Sequence, residues 1–204
     1  MPEKNLGLER LVFFSDAVVA IAITLLALDL KIDIKPSEHL RFADIGHAWP
    51  KFAAFFLSFL YVAVFWMIHR RFFNYIIKAD NILLWYNFGW LLFVATLPFS
   101  TSLISADLFN VPAMFLYGCN TFMLTFFQNQ IWDHVAVRQD YLSEHIDKKT
   151  IFDYRLSCNV AMVNALIAAG VSFLSPIAAF FVLLVRLQMI AIARKIFKPR
   201  LTSE

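Results

Sequence analysis

The sequence predicts an all-α protein that crosses a membrane several times. Three observations carry this reading: 60% of the 204 residues are apolar and only 16% charged, the apolar residues gather into six long runs, and Lys and Arg fall mostly on one side of those runs. A soluble domain is about half apolar and about a quarter charged, so both fractions miss that class. The same composition excludes a disordered or low-complexity chain. Two cysteines make neither a disulfide framework nor a zinc cluster, and a net charge of +3 leaves no nucleic-acid footprint.

The runs are 11–30, 49–69, 81–104, 111–132, 155–174 and 176–193, each close to the roughly 20 residues that a helix needs to cross hydrocarbon. Backbone in lipid must bond within itself, and runs such as FFLSFLYVAVFW lack the alternation of a barrel strand. All six are therefore read as helices, and residues 1–204 as a single six-helix transmembrane domain. The first run is read as a retained helix rather than a secretory signal. Glu3 and Glu9 accompany Lys4 and Arg10, Asp16 interrupts the apolar stretch, and no small-x-small cleavage site follows. Pro98 and Pro176 read as helix-end signals. Connections are short except for 31–48 and 133–152.

Charge sets the expected orientation. Lys4 and Arg10; Arg70, Arg71 and Lys78; Arg138, Lys148, Lys149 and Arg155; and Arg194, Lys195, Lys198 and Arg200 all lie on one side. The other side has Lys31, Lys35, Arg41 and Lys51. The positive-inside rule then places both termini in the cytoplasm. Arg186, inside the sixth run, is expected to snorkel inward or to pair with an acid.

What is missing narrows the chemistry. The sequence has no Gly-rich phosphate loop, nucleophile elbow, HExxH or CxxC, so no enzyme is expected. The glycines at 7, 46, 89, 118 and 170 are too scattered for a carbonyl filter of the TVGYG kind. No helix carries a voltage sensor's ladder of arginines, and no Gly/Pro-broken helices recur in matching halves. His39, His47, His134 and His145 lack ligand spacing, so no metal site is expected. Cys119 and Cys158 are expected to be packing residues.

The first run, LVFFSDAVVAIAITLLALDL, has two features. Asp16 lies roughly 9 Å along a helix from Arg10, and His69 and Asn87 fall at the same depth in the second and third runs. An acid in the apolar zone is costly. These groups are either a polar network that locks three helices together or a proton relay. On the same helix Ile21, Thr24, Leu25 and Leu28 share a stripe at about 100° per residue, nearly opposite Asp16. That stripe faces lipid, the protein core or a permeation pathway. A mid-membrane Thr generally bonds the preceding turn. Asp29 and Asp33 follow the stripe, either as ordinary helix-end charges offset by Lys31 and Lys35 or as an acidic ring at an outer mouth.

Arg10-x-x-x-Phe14-Ser15-Asp16 resembles the signature that opens helix 1 of the transmembrane-protein-175 family of potassium channels. Ile21-Ala22-Ile23-Thr24-Leu25-Leu26 is similar to that family's pore helix. Trp66-x-x-His69-x-x-x-Phe73 resembles its helix 2 motif, and Asn87 followed by Leu97-Pro98-Phe99 its helix 3. The motifs cover the first hundred residues; the remainder follows only the six-helix plan.

The resemblance implies a prokaryotic single-repeat member, a homotetramer in the cell membrane whose four first helices surround a central cation pathway. It implies Ile21, Leu25 and Leu28 as aliphatic constriction rings and Thr24 as a hydroxyl selectivity layer. It implies a packing network of Arg10, Phe14, Ser15, Asp16, Trp66, His69, Phe73 and Asn87. The expected function is a potassium-permeable channel with modest preference over sodium, gated at a hydrophobic constriction and needing no cofactor. The alternative is a proton-coupled cation transporter that uses Asp16 and His69.

Overall fold

The computed structural model describes residues 6–32, 39–143 and 146–197. Within them the chain forms α1 (Leu6–Leu25), continued by a 3-10 turn (Leu26–Asp29), α2 (Phe42–His47), α3 (Trp49–Tyr75), α4 (Asn81–Ala106), α5 (Val111–Ala136), α6 (Lys148–Val171), α7 (Pro176–Leu184) and α8 (Arg186–Ile196). Side-chain oxygens fix where four of them begin. Asp80 accepts from the Leu83 amide, Asn110 from Ala113, Asp147 from Thr150 and Ser175 from Ala178, each answering a donor that the first turn leaves unpaired. Pro112 and Pro176 sit in first turns, where a missing N–H costs nothing.

Among the described residues four helices are long and apolar enough to cross a membrane: Leu6–Leu28, α3, α4 and α6. The other two runs expected to cross depart from a straight apolar helix, each in its own way. α5 is as long as α4 but less apolar, because its buried side chains include Asn120, Thr121, Thr125, Gln128 and Asn129. These bond to neighbours rather than to lipid: Gln128 donates to the Phe65 carbonyl at 3.0 Å, and Asn120 to Ser100 at 3.1 Å. The sixth run is not one straight helix. α7 and α8 meet at a 53° bend. Two side chains occupy the carbonyls that would continue the helix: Asn164 donates to Val182 O at 2.7 Å and Tyr61 to Leu183 O at 2.9 Å. Insertion into the i→i−4 ladder is a standard cause of a sharp kink.

Pro98 does not end its helix either; α4 runs through it to Ala106. A chain unravelled in hydrocarbon has no water to bond, so an intramembrane proline bends or stretches a helix more readily than it stops one. Among the described residues Arg186 finds no acid. It is buried at the bend, with Cζ 4.3 Å from the Phe65 ring centre and 5.0 Å from that of Tyr61, a cation–π arrangement in place of a salt bridge.

α4 packs on α5 and α5 on α6, while α1 lies against α4 and α3. The α5–α6 contact is close enough that a Cβ at Gly118 would stand 3.0 Å from Ala169 Cα. Small residues allow such approach between membrane helices. Cys158 is buried and Cys119 half-buried in this packing, both as free thiols.

Candidate functional site

α1 has two faces of opposite character. Leu11, Ser15, Val19, Ala22 and Leu26 are buried against α3 and α4. Ile21 and Leu28 are each 60% exposed, Leu25 is 40% exposed, and Thr24 is exposed beside them. The stripe expected from the helical wheel is thus a continuous uncovered ridge. The 3-10 turn preserves it. At three residues per turn, side chains at i and i+3 eclipse, so Leu28 stays in line with Leu25. Thr24 Oγ1 donates to the Ile21 carbonyl at 2.7 Å. With its proton held by the backbone, the hydroxyl presents only lone pairs outward. Asp33 and the side chain of Asp29 lie outside the described residues.

The opposite face ends in the polar network. Ser15 Oγ donates to Leu11 O at 2.8 Å and accepts from Asn87 Nδ2 at 2.9 Å. Asn87 Oδ1 accepts from His69 Nε2 at 2.8 Å, which leaves the proton of a neutral ring on Nε2. The His69 ring is buried, tilted on Phe73 at 4.4 Å and stacked on Trp90 at 4.3 Å with 13° between planes. Asp16, half-buried at the rim of α1, accepts from Trp66 Nε1 at 2.8 Å, and Arg70 lies 5.7 Å over the Trp66 ring. Of the expected network residues, these six come together. Phe14 is half exposed with its edge toward Phe88 at 6.1 Å, and Arg10 is exposed.

Two features were missed from the sequence. Trp90, one turn after Asn87, closes the ring stack on His69; its i+3 spacing was the available signal. The second is a clasp at the end of the bundle that carries the α3–α4 turn. Asp80 receives the Leu83 amide at 2.8 Å, His134 Nε2 at 3.0 Å, Arg138 Nη1 at 2.9 Å and Tyr141 OH at 3.1 Å. Two backbone bonds flank it, Ile77 N to Tyr141 O at 2.9 Å and Ser143 N to Tyr75 O at 2.8 Å. Burial pushes the Asp80 carboxyl up, but the donated hydrogen bonds outweigh it and hold the group down at about 2. Among the described residues no three His, Cys, Asp or Glu side chains gather as a metal site.

Residues 10–98 match the family described as the endosomal/lysosomal potassium channel TMEM175. A protein of Streptomyces collinus named a potassium channel is 26% identical over 170 residues, covering 81% of this chain and 82% of its own. Over residues 10–98, somewhat less than half of its length, the chain is similar to the TMEM175 family. Another TMEM175 relative, the Danio rerio protein named an endosomal/lysosomal proton channel, is 32% identical over 110 residues, half of this chain and 21% of that one. The crystal structure of a TMEM175 homologue from Chamaesiphon minutus, described as that of a lysosomal potassium-selective channel homologue, has the same fold. Its TM-score is 0.76 at 23% identity over 92% of this chain and 98% of that one. TMEM175 is a family of channels rather than enzymes, and this chain is a membrane protein.

Proposed function

We propose that the chain is one subunit of a potassium-permeable channel in the cell membrane, with the ridge of α1 from four copies surrounding the pathway. The observation that supports it is the two-faced first helix. One face is sealed to α3 and α4 by Ser15, Asn87 and His69, and the other offers three branched aliphatic side chains and a hydroxyl to something outside the protomer. Leu6–Leu28 is also the least buried of the four membrane-length helices. In this reading α5 and the bent α7–α8 pair complete six crossings, and both termini are cytoplasmic.

Rings of Ile21, Leu25 and Leu28 form a hydrophobic constriction that stops ions by dewetting when narrow. On widening, an ion passes with part of its water shell. Sodium, smaller and more tightly hydrated, loses more by shedding water than potassium does. The outward lone pairs of Thr24 replace part of the lost hydration. Asp29 and Asp33 concentrate cations at the outer mouth. No cofactor takes part.

The test is flux from liposomes holding purified protein. Potassium moving down its own gradient without any pH gradient supports the channel. A second reading is a proton-coupled cation transporter that uses Asp16 and His69; it draws on the zebrafish relative, named a proton channel, and cation flux that requires a pH gradient favours it and rejects the first.

A further inference from the structure

Between α3, α6 and α8 a cleft of about 260 Å³ opens on the outside of the protomer. Its walls are aliphatic, with Val64 and Ile68 from α3 facing Leu187 and Ile190 from α8. Its polar residues, Arg71, Ser157 and Arg194, lie toward the Asp80 end of the bundle. Val64 to Arg71 and Leu187 to Arg194 are both seven-residue steps, roughly 10 Å of helix. The two arginines therefore crown the same end of one apolar trough. Both are exposed, and both act electrostatically on Tyr154 of α6.

Arg194 is aimed rather than loose. Its Nε donates to Ser157 Oγ at 2.9 Å, and Ser157 donates in turn to the Asp153 carbonyl. Holding a guanidinium by Nε leaves its two terminal nitrogens as a fork for paired oxygens. Asp133, at the same end on α5, is already bound to Arg155 at 2.6 Å. A cationic crown above an aliphatic trough, on a protein whose solvent is lipid, matches the polarity of a phospholipid with a negative headgroup.

We infer that this cleft binds one anionic phospholipid of the adjoining leaflet, its phosphate between Arg71 and Arg194 and an acyl chain along Val64, Ile68, Leu187 and Ile190. The inference rests on the membrane-crossing reading and not on which ion the protein conducts.

Native mass spectrometry of the purified full chain, titrated in detergent with phosphatidylglycerol or phosphatidylcholine, tests it. The expected result is retention of phosphatidylglycerol well above phosphatidylcholine. Arg71→Gln and Arg194→Gln should each weaken it about fivefold, the equivalent of one interfacial cation. Arg194→Lys should keep most of the preference, and Lys195→Gln, outside the cleft, all of it. Thermal melting verifies that each variant is folded. Equal retention of both lipids, an unchanged preference in the folded Arg71→Gln/Arg194→Gln double variant, or equal stabilisation by inorganic phosphate overturns the proposal. A lipid preference that survives in a protein passing no potassium leaves this site standing and rejects the potassium reading alone.

Discussion

Asn87 donates its amide hydrogen to Ser15 Oγ at 2.9 Å, joining α4 to α1 across 72 residues of sequence. Its oxygen accepts from His69 at 2.8 Å, so one side chain ties three helices. Asn87→Leu removes both bonds and leaves the buried Nε2–H of His69 unpaired. An unmade bond to a buried donor costs about 1–3 kcal/mol in water-soluble proteins and nearer 1 in membranes. SDS-induced unfolding in mixed micelles, followed by tryptophan fluorescence, should show a loss of about 1–2 kcal/mol. An unshifted midpoint would make the tether idle.

Asp16 separates architecture from proton transfer. Its Oδ1 accepts from Trp66 Nε1 at 2.8 Å, and an amide oxygen serves that bond as well as a carboxylate. Asp16→Asn should therefore retain assembly and current, while Asp16→Ala and Trp66→Phe lose the same share of assembled protein in size-exclusion chromatography with light scattering. A relay requires a group that takes and releases a proton. Asp16→Asn as inactive as Asp16→Ala, in fully assembled protein, would support the relay instead.

The clasp at Asp80 carries a pH dependence of definite sign. Its carboxyl is held at about 2 against an ordinary 3.8, so the folded protein favours the ionised form. Its contribution to stability is complete above the unfolded value and is lost as pH falls from about 4 toward 2. Amide exchange at Ile77 and Ser143, whose N–H groups bond across the clasp, should accelerate over that window. Asp80→Asn should exchange fast at every pH. A wild-type profile flat from pH 5 to about 2 would contradict this assignment.

The sequence made the candidate site more legible than the far half of the fold. Asp16, His69 and Asn87 are polar groups at matching depths in apolar runs, and cost alone points them at one another; Ser15 comes in only with the family resemblance. The ridge of Ile21, Thr24, Leu25 and Leu28 follows from helical periodicity, a property of one segment. The break before Arg186 has no such local signal. SPIAAFFVLLVRLQMIAIAR reads as one apolar run, and the groups that kink it, Asn164 and Tyr61, arrive from α6 and α3. Arg186 is misread for the same reason: the Tyr61 and Phe65 rings that shelter it lie some 120 residues away in sequence. Pro98 shows the converse, a strong local stop signal overruled by the surrounding lipid and helices.

Thr24 is where the permeation proposal is most exposed to test. Its proton is committed to Ile21 O at 2.7 Å, so what it offers a passing ion is oxygen. Thr24→Val keeps the branched shape and removes that oxygen, whereas Thr24→Ser keeps the oxygen and removes a methyl. Reversal potentials under opposed potassium and sodium gradients should show the potassium preference falling for Val and surviving for Ser. One lost oxygen contact, about 1 kcal/mol, corresponds to about fivefold in permeability ratio. Ile21→Asn, which wets the proposed constriction, should instead raise resting conductance for both ions with little change in their ratio. The two positions thus separate into selectivity and gating. An undiminished potassium preference in Thr24→Val removes the hydroxyl layer from the mechanism, and an unaltered resting leak in Ile21→Asn removes the dewetted ring.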